Sequence, residues 1–199
     1  MSLIRVTAPA QLPVSLEEAK AYARIDSVTY NPTPGEIAMD LRDDQTILTM
    51  IRAATERLDG TAGLPGLCLI TQVWELRRDR LPPVLSLPLP PCQSVDQIHY
   101  LDPDGVQHLL PPDAYEATGL GDIAPARLAP ARGRTWPAMA VHPESVTIRF
   151  TAGFGDNPED VPEAIRMAIM RQVVQMYFIR EGSPPDEGDG LDAYRQWAF

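Results

Sequence analysis

The chain has 199 residues, 44% of them apolar, with a formal charge of −10 and a pI near 4.7. That length suits one domain with room for an inserted subdomain and a substantial core. The acidity excludes a protein that grips nucleic acid through a basic face, and no stretch approaches the ~20 apolar residues of a membrane-spanning helix.

Residues 1–14 read as extended and proline-punctuated. No basic segment followed by an apolar run is visible there, so a cytoplasmic protein without a signal peptide is expected. Ser15-Leu16-Glu17-Glu18 is a capping box, in which the serine accepts from the third helical amide while Glu18 reaches back. The helix it opens is predicted to run to about Ile25, with Leu16, Ala19, Ala23 and Tyr22 inward. Asp26 to Met39 contains Asn31-Pro32-Thr33-Pro34-Gly35 and reads as a loop. A second helix is predicted over Asp43 to Asp59. Ile47, Leu48, Ile51, Ala54, Thr55 and Leu58 form its buried stripe, Asp43 and Asp44 suit the dipole at its start, and Gly60 and Gly63 stop it.

From Leu67 onward the pattern changes to strands. Leu69–Leu76, Val84–Leu89, Val95–Leu101, Tyr115–Thr118, Ala126–Leu128 and Ser145–Thr151 are the candidates. Asp102-Pro103-Asp104-Gly105 is a turn signal. The prolines of Leu87-Pro88-Leu89-Pro90-Pro91 push that segment toward an edge or an extended arm. A strand ending at Arg149-Phe150-Thr151-Ala152 meets Gly153-Phe154-Gly155, and a third helix starts on Pro162, where a missing amide costs nothing. It is predicted to reach about Arg180, with Ile165, Ala168, Ile169, Gln172, Val173, Met176 and Tyr177 inward. Ser183–Gly190 is a Pro/Gly/acidic linker, and Leu191 to Phe199 is too apolar for an idle tail.

Signatures of chemistry are sparse. GxSxG, P-loop, GxGxxG and HExxH are all absent, and Gly153-Phe154-Gly155 lacks the third glycine and the Lys-Ser/Thr of a phosphate loop. His99 and His108 flank the predicted turn without a cysteine or carboxylate at ligand spacing, so strand-edge histidines are expected rather than a metal site. The acidic groups Asp40/Asp43/Asp44, Asp156/Glu159/Asp160 and Asp186/Glu187/Asp189 read as solvated charge. Cys68 and Cys92 lack a CxxC pattern and read as buried free thiols. Arg127–Arg134, followed by Trp136-Pro137, is either a small basic patch for a partner's carboxylates or a solvated loop.

Four segments, in order along the chain to Glu181, carry a resemblance. They are Pro13-Val14-Ser15-Leu16-Glu17-Glu18-Ala19-Lys20 with Arg24-Ile25-Asp26; Arg52-Ala53-Ala54-Thr55-Glu56-Arg57-Leu58; Leu69 to Leu76 with Ser94-Val95, Ile98, Tyr100-Leu101-Asp102 and Gly105; and Arg149 to Asp156 with Val161 to Arg166 and Tyr177. Together they resemble the head–tail connector (adaptor) proteins of tailed phages and gene transfer agents, in the branch with a β-rich insertion. The loop after Asp26 is longer than the family pattern, and the tail past Glu181 is not fixed by it.

The resemblance implies an α+β fold: about three core helices (residues 13–60 and 161–181), a β-rich insertion at 67–152 between helices 2 and 3, and a linker with a docking segment at 182–199. It implies a non-enzymatic virion protein of the neck with no cofactor or metal. Its partners would be the portal protein, a stopper or tail-completion protein, and further copies of itself in a ring, most often of twelve. DNA would pass through the channel without specific binding. Leu191, Tyr194, Trp197 and Phe199 are the expected portal-binding residues, with folding back of the tail as the alternative, and Gly153, Gly155 and Pro162 form a structural joint. The competing functional reading is a small cytoplasmic enzyme or protein-binding module with a site around His99, His108 and Arg127–Arg134.

Overall fold

The computed structural model describes residues 1–24, 34–63 and 66–179, with the side chains of 34–42 and 62 outside that description. The fold is α+β, with three helices and two antiparallel sheets. Helix α1 spans Leu16–Ala23. Ser15 accepts from the Glu18 amide while the Glu18 carboxylate accepts from the Ser15 amide, so the capping box forms as read. Ala19 and Ala23 are buried and Leu16 packs against the core, but Tyr22 is exposed. At about 100° per residue, Tyr22 stands roughly a quarter turn from the centre of the 16/19/23 stripe.

Helix α2 spans Pro34–Glu56, so it begins nine positions before the predicted Asp43 start. Pro34 opens the first turn, where proline needs no amide partner, so the predicted loop does not run through Met39, and its part before Pro34 lies outside the described residues. Asp43 and Asp44 therefore lie inside the helix rather than at its dipole end. Asp44 instead pairs with Lys20 of α1 at 2.5 Å. Ile47, Ile51, Ala54 and Thr55 are buried as predicted, and Leu58 is buried just past the helix. Helix α3 spans Glu163–Ile179. Ile165, Ala168, Ile169 and Val173 join Ile47, Ile51, Leu58, Leu67, Leu69 and Val161 in the helical core.

The described residues form eight strands: β1 Ser2–Thr7, β2 Gln72–Arg78, β3 Leu85–Ser86, β4 Cys92–Leu101, β5 Gln107–Leu109, β6 Tyr115–Thr118, β7 Arg127–Pro130 and β8 Val146–Ala152. The larger sheet has the order β1-β2-β8-β4-β5, and the smaller β3-β7-β6. Strict alternation on β8 turns Val146, Ile148, Phe150 and Ala152 inward. They meet Trp74, Leu76 and Ile98 of their own sheet and Leu85 and Leu128 of the other, forming a second core.

Three strand readings change. Residues 2–7, read only as extended, pair with β2 and extend the sheet. Residues 67–70 are buried but belong to no ladder, being held instead by isolated parallel bridges Asp59↔Leu67 and Ile70↔Gly155. The predicted Val84–Leu89 strand shrinks to two residues, because Pro88, Pro90 and Pro91 lack ladder donors. Cys68 and Cys92 are buried free thiols, as expected.

Candidate functional site

The predicted joint is a tight crossing of backbones. Gly153 has φ +136°, and a Cβ added there would stand 2.7 Å from both the Ile70 carbonyl carbon and the Thr71 nitrogen. Its amide donates to Pro91 O at 2.9 Å, Phe154 N donates to Leu69 O at 2.9 Å, and Thr71 N donates to Gly155 O at 2.9 Å. The Gln93 side chain donates to Gly153 O at 2.8 Å. A side chain at Gly155 would collide with the Asp160 carboxylate, which accepts from Asn157 N at 2.9 Å and shapes the turn at Pro158–Asp160. Pro162 then offers its carbonyl to the amides of Ile165 and Arg166.

Behind the joint lies a residue to which no role was assigned from sequence. Arg166 is buried in α3, its side chain 10% exposed, and ties three segments together. Its Nε donates to Pro13 O at 3.2 Å, Nη1 to Glu163 at 3.0 Å, and Nη2 to Glu18. Burial pushes the Glu18 carboxyl up, but hydrogen bonds from Ser15 and the Arg166 charge outweigh that and hold it below its ordinary value. The Glu163/Arg166 spacing of three was the available signal. It marks an ordinary surface pair as readily as a buried clamp.

A second, half-buried charge sits where α2 meets the sheet. Asp59 accepts from Leu69 N at 2.8 Å and from Gln72 Nε2 on both carboxylate oxygens at 2.8 Å. Burial raises its pKa, and the hydrogen bonds from Leu69 and Gln72 with the Arg5 charge only partly offset this. A groove of about 910 Å³ opens here, lined in part by Ile4, Arg5, Pro9, Arg52 and Trp74.

The residues of the competing enzyme reading do not converge. His99 faces Leu109, and Tyr100 faces His108, so His99 and His108 point to opposite faces of the sheet. His108 meets Asp102 at 2.7 Å and stacks on Tyr100, while His99 approaches Gln97 at 3.5 Å. Asp102 also accepts from Asp104 N and Val106 N at 2.9 Å, building the predicted turn. These bonds, that of His108 foremost, lower its pKa. No group of three or more His, Cys, Asp or Glu capable of holding a metal occurs among the described residues. Arg134 pairs with the exposed Asp113, Arg127 and Arg132 are exposed, and Trp136 donates to Pro82 O at 2.7 Å. The tail residues Leu191, Tyr194, Trp197 and Phe199 lie outside the described residues.

No protein-family model matches the chain, and no curated protein does. Solved structures do match. A chain from the virion of a native gene transfer agent particle aligns with a TM-score of 0.73 at 22% identity, covering 99% of this chain and 95% of that one. This chain shares that fold. A chain from the neck of an empty gene transfer agent particle, computed with C6 symmetry, aligns with the same score, identity and coverage. A chain from the neck of a native particle, computed with C12 symmetry, aligns at TM-score 0.69 and 20% identity, over 99% of this chain and 94% of that one.

Proposed function

We propose that this chain is a structural protein of the neck of a gene transfer agent or related phage-like particle, where it forms a ring-shaped adaptor between portal and tail. The observation that carries this reading is the fold likeness to gene transfer agent neck chains across 99% of the chain. Ring formation is supported by the C6 and C12 symmetries of the particles those chains come from. A ring of this kind closes through head-to-tail contacts between two different patches of each copy. The charge of −10 suits a channel that lets a duplex slide without sticking.

On this reading the chemistry is mechanical. The Gly153–Pro162 joint and the Arg166 clamp lock the sheet, the N-terminal segment and α3 into one body. Helix α3 then leads toward the linker at Ser183–Gly190 and the tail. Tyr194, Trp197 and Phe199 are aromatic anchors of the kind that dominate interfaces, and the tail docks on the portal. Native mass measurement of the chain mixed with portal protein tests this. A ring complex is expected, and truncation after Gly190 is expected to abolish it while leaving the melting temperature unchanged. A truncated chain that still binds portal sinks the tail assignment, and a full chain that ignores portal sinks the adaptor reading.

A further inference from the structure

Among the described residues both edges of the larger sheet are open. There, strand β1 pairs only with β2, and β5 only with β4. No backbone bond among those residues, outside the ladders, involves residues 2–7 or 107–109. Free edges with apolar side chains are templates for another strand. Ile4 is 42% exposed on β1 and Leu109 is 56% exposed on β5.

The two edges match in face. Ser2, Arg77, Thr147, His99 and Leu109 form one row across all five strands, through the partners Ser2↔Arg77, Arg77↔Thr147, Thr147↔His99 and His99↔Leu109. Ile4 is two residues from Ser2 and shares that face. Ile4 and Leu109 are therefore exposed on the same side of one sheet, at its opposite ends. Pairing β5 of one copy with β1 of the next keeps the polar face continuous and sets Leu109 beside Ile4 as an apolar cross-strand pair.

Strand direction decides which symmetry this contact serves. Five strands that are all antiparallel leave β1 and β5 running the same way. The step between neighbours in a six- or twelve-fold ring turns a strand by no more than about 60° or 30°, so a β5–β1 junction in a closed ring is parallel rather than antiparallel. A two-fold dimer would instead pair β1 with β1, antiparallel. A heterologous contact needs two different patches on each copy, and the two edges supply them.

We propose that the occupant of each β1 edge is β5 of a second copy of this chain, giving a parallel inter-subunit strand pair that carries the sheet around the ring. This rests on the neck reading above. The test introduces Ile4→Cys and Leu109→Cys, singly and together, into full-length chain in the particle-producing cells, followed by oxidation of purified particles and a denaturing gel. Both sites are exposed, so folding is preserved, and an unchanged melting curve of each variant confirms it. The native thiols give a quiet background, since both are buried, with Cys92 pushed up to about 12. The double variant is expected to give a ladder of linked products from dimer upward, and each single variant none. Linked dimers from Ile4→Cys alone, or particles that contain the double variant without any linked product, overturn the inference and leave the neck reading standing. Absence of the chain from the particles sinks the neck reading itself.

Discussion

Substituting Gly153 by alanine isolates the joint on which the sheet and α3 meet. Two costs add at this position. Its φ of +136° lies outside the range of ordinary L-residues, and holding a side chain there costs about 1–3 kcal/mol. The new Cβ would also stand 2.7 Å from the Ile70 carbonyl carbon and the Thr71 nitrogen, which are backbone and have little freedom to retreat. Overpacking of that kind costs about 1–3 kcal/mol. The sum is roughly 2–6 kcal/mol, and at about 2–4 °C per kcal/mol for a domain of this size the melting temperature should fall by about 4–24 °C. Thermal unfolding followed by circular dichroism measures it. Gly105→Ala is the control, since φ there is +81° but nothing lies within 4 Å of the added Cβ. It carries only the left-handed strain of about 1–2 kcal/mol. Equal melting temperatures for Gly153→Ala and Gly105→Ala would refute the claim that this crossing is locked by contact.

Three further outcomes follow from Arg166, Asp59 and the core. Arg166→Met leaves Pro13 O and Glu18 without the guanidinium and should cost about 1–3 kcal/mol at pH 7, limited by the partial exposure of Glu18. Because the folded Glu18 pKa lies below its ordinary 4.5, its contribution is complete above 4.5 and is lost as pH falls through the depressed value. The gap between wild type and Arg166→Met in denaturant titrations should therefore narrow below pH 4.5, and a gap that stays constant to pH 3 contradicts the clamp. Asp59 has the opposite sign. Its folded pKa is raised above the ordinary 3.8, so stability falls as pH rises from 3.8 through the raised value. Asp59→Asn removes that loss and keeps an acceptor for Leu69 N; turning over the Gln72 amide, whose Nε2 now faces both carboxylate oxygens, lets Oε1, which has no partner among the described residues, accept from the new Nδ2. The variant should melt at or above wild type at pH 7, and a fall of several degrees refutes the reasoning. Phe150→Ala empties a fully buried ring site between the sheets and should cost about 3–5 kcal/mol by chemical denaturation, and a loss under 1 kcal/mol would mean the sheets do not share one packed core.

What could be read from the sequence depended on how local the determining physics was. The capping box at Ser15, the β4–β5 turn and the Tyr115–Thr118 strand rest on neighbours within a few residues, and all three stand as read. The start of α2 was misplaced because Pro34-Gly35 carries the same letters at a helix start as in a loop, and only the following helix distinguishes them. Strand β1 was missed because its ladder partner, β2, lies some seventy residues on. The pairing of β3, β7 and β6 into a second sheet is equally non-local. At the candidate site, Gly153 and Gly155 stand where an added Cβ has no room, and paired glycines after a strand are the local signal for such a close approach. The burial of Arg166 has no such local signal, because its partners Pro13 and Glu18 sit about 150 positions away. The separation of His99 and His108 onto opposite faces follows from register, which spacing alone leaves open.

Electron cryo-microscopy of particles purified from the cells that encode this chain decides whether it stands in the neck. The expected density is a closed ring between portal and tail, fitted by this fold, with α3 leading toward the portal. A neck ring built from other chains, with this one absent from the particle, would contradict it.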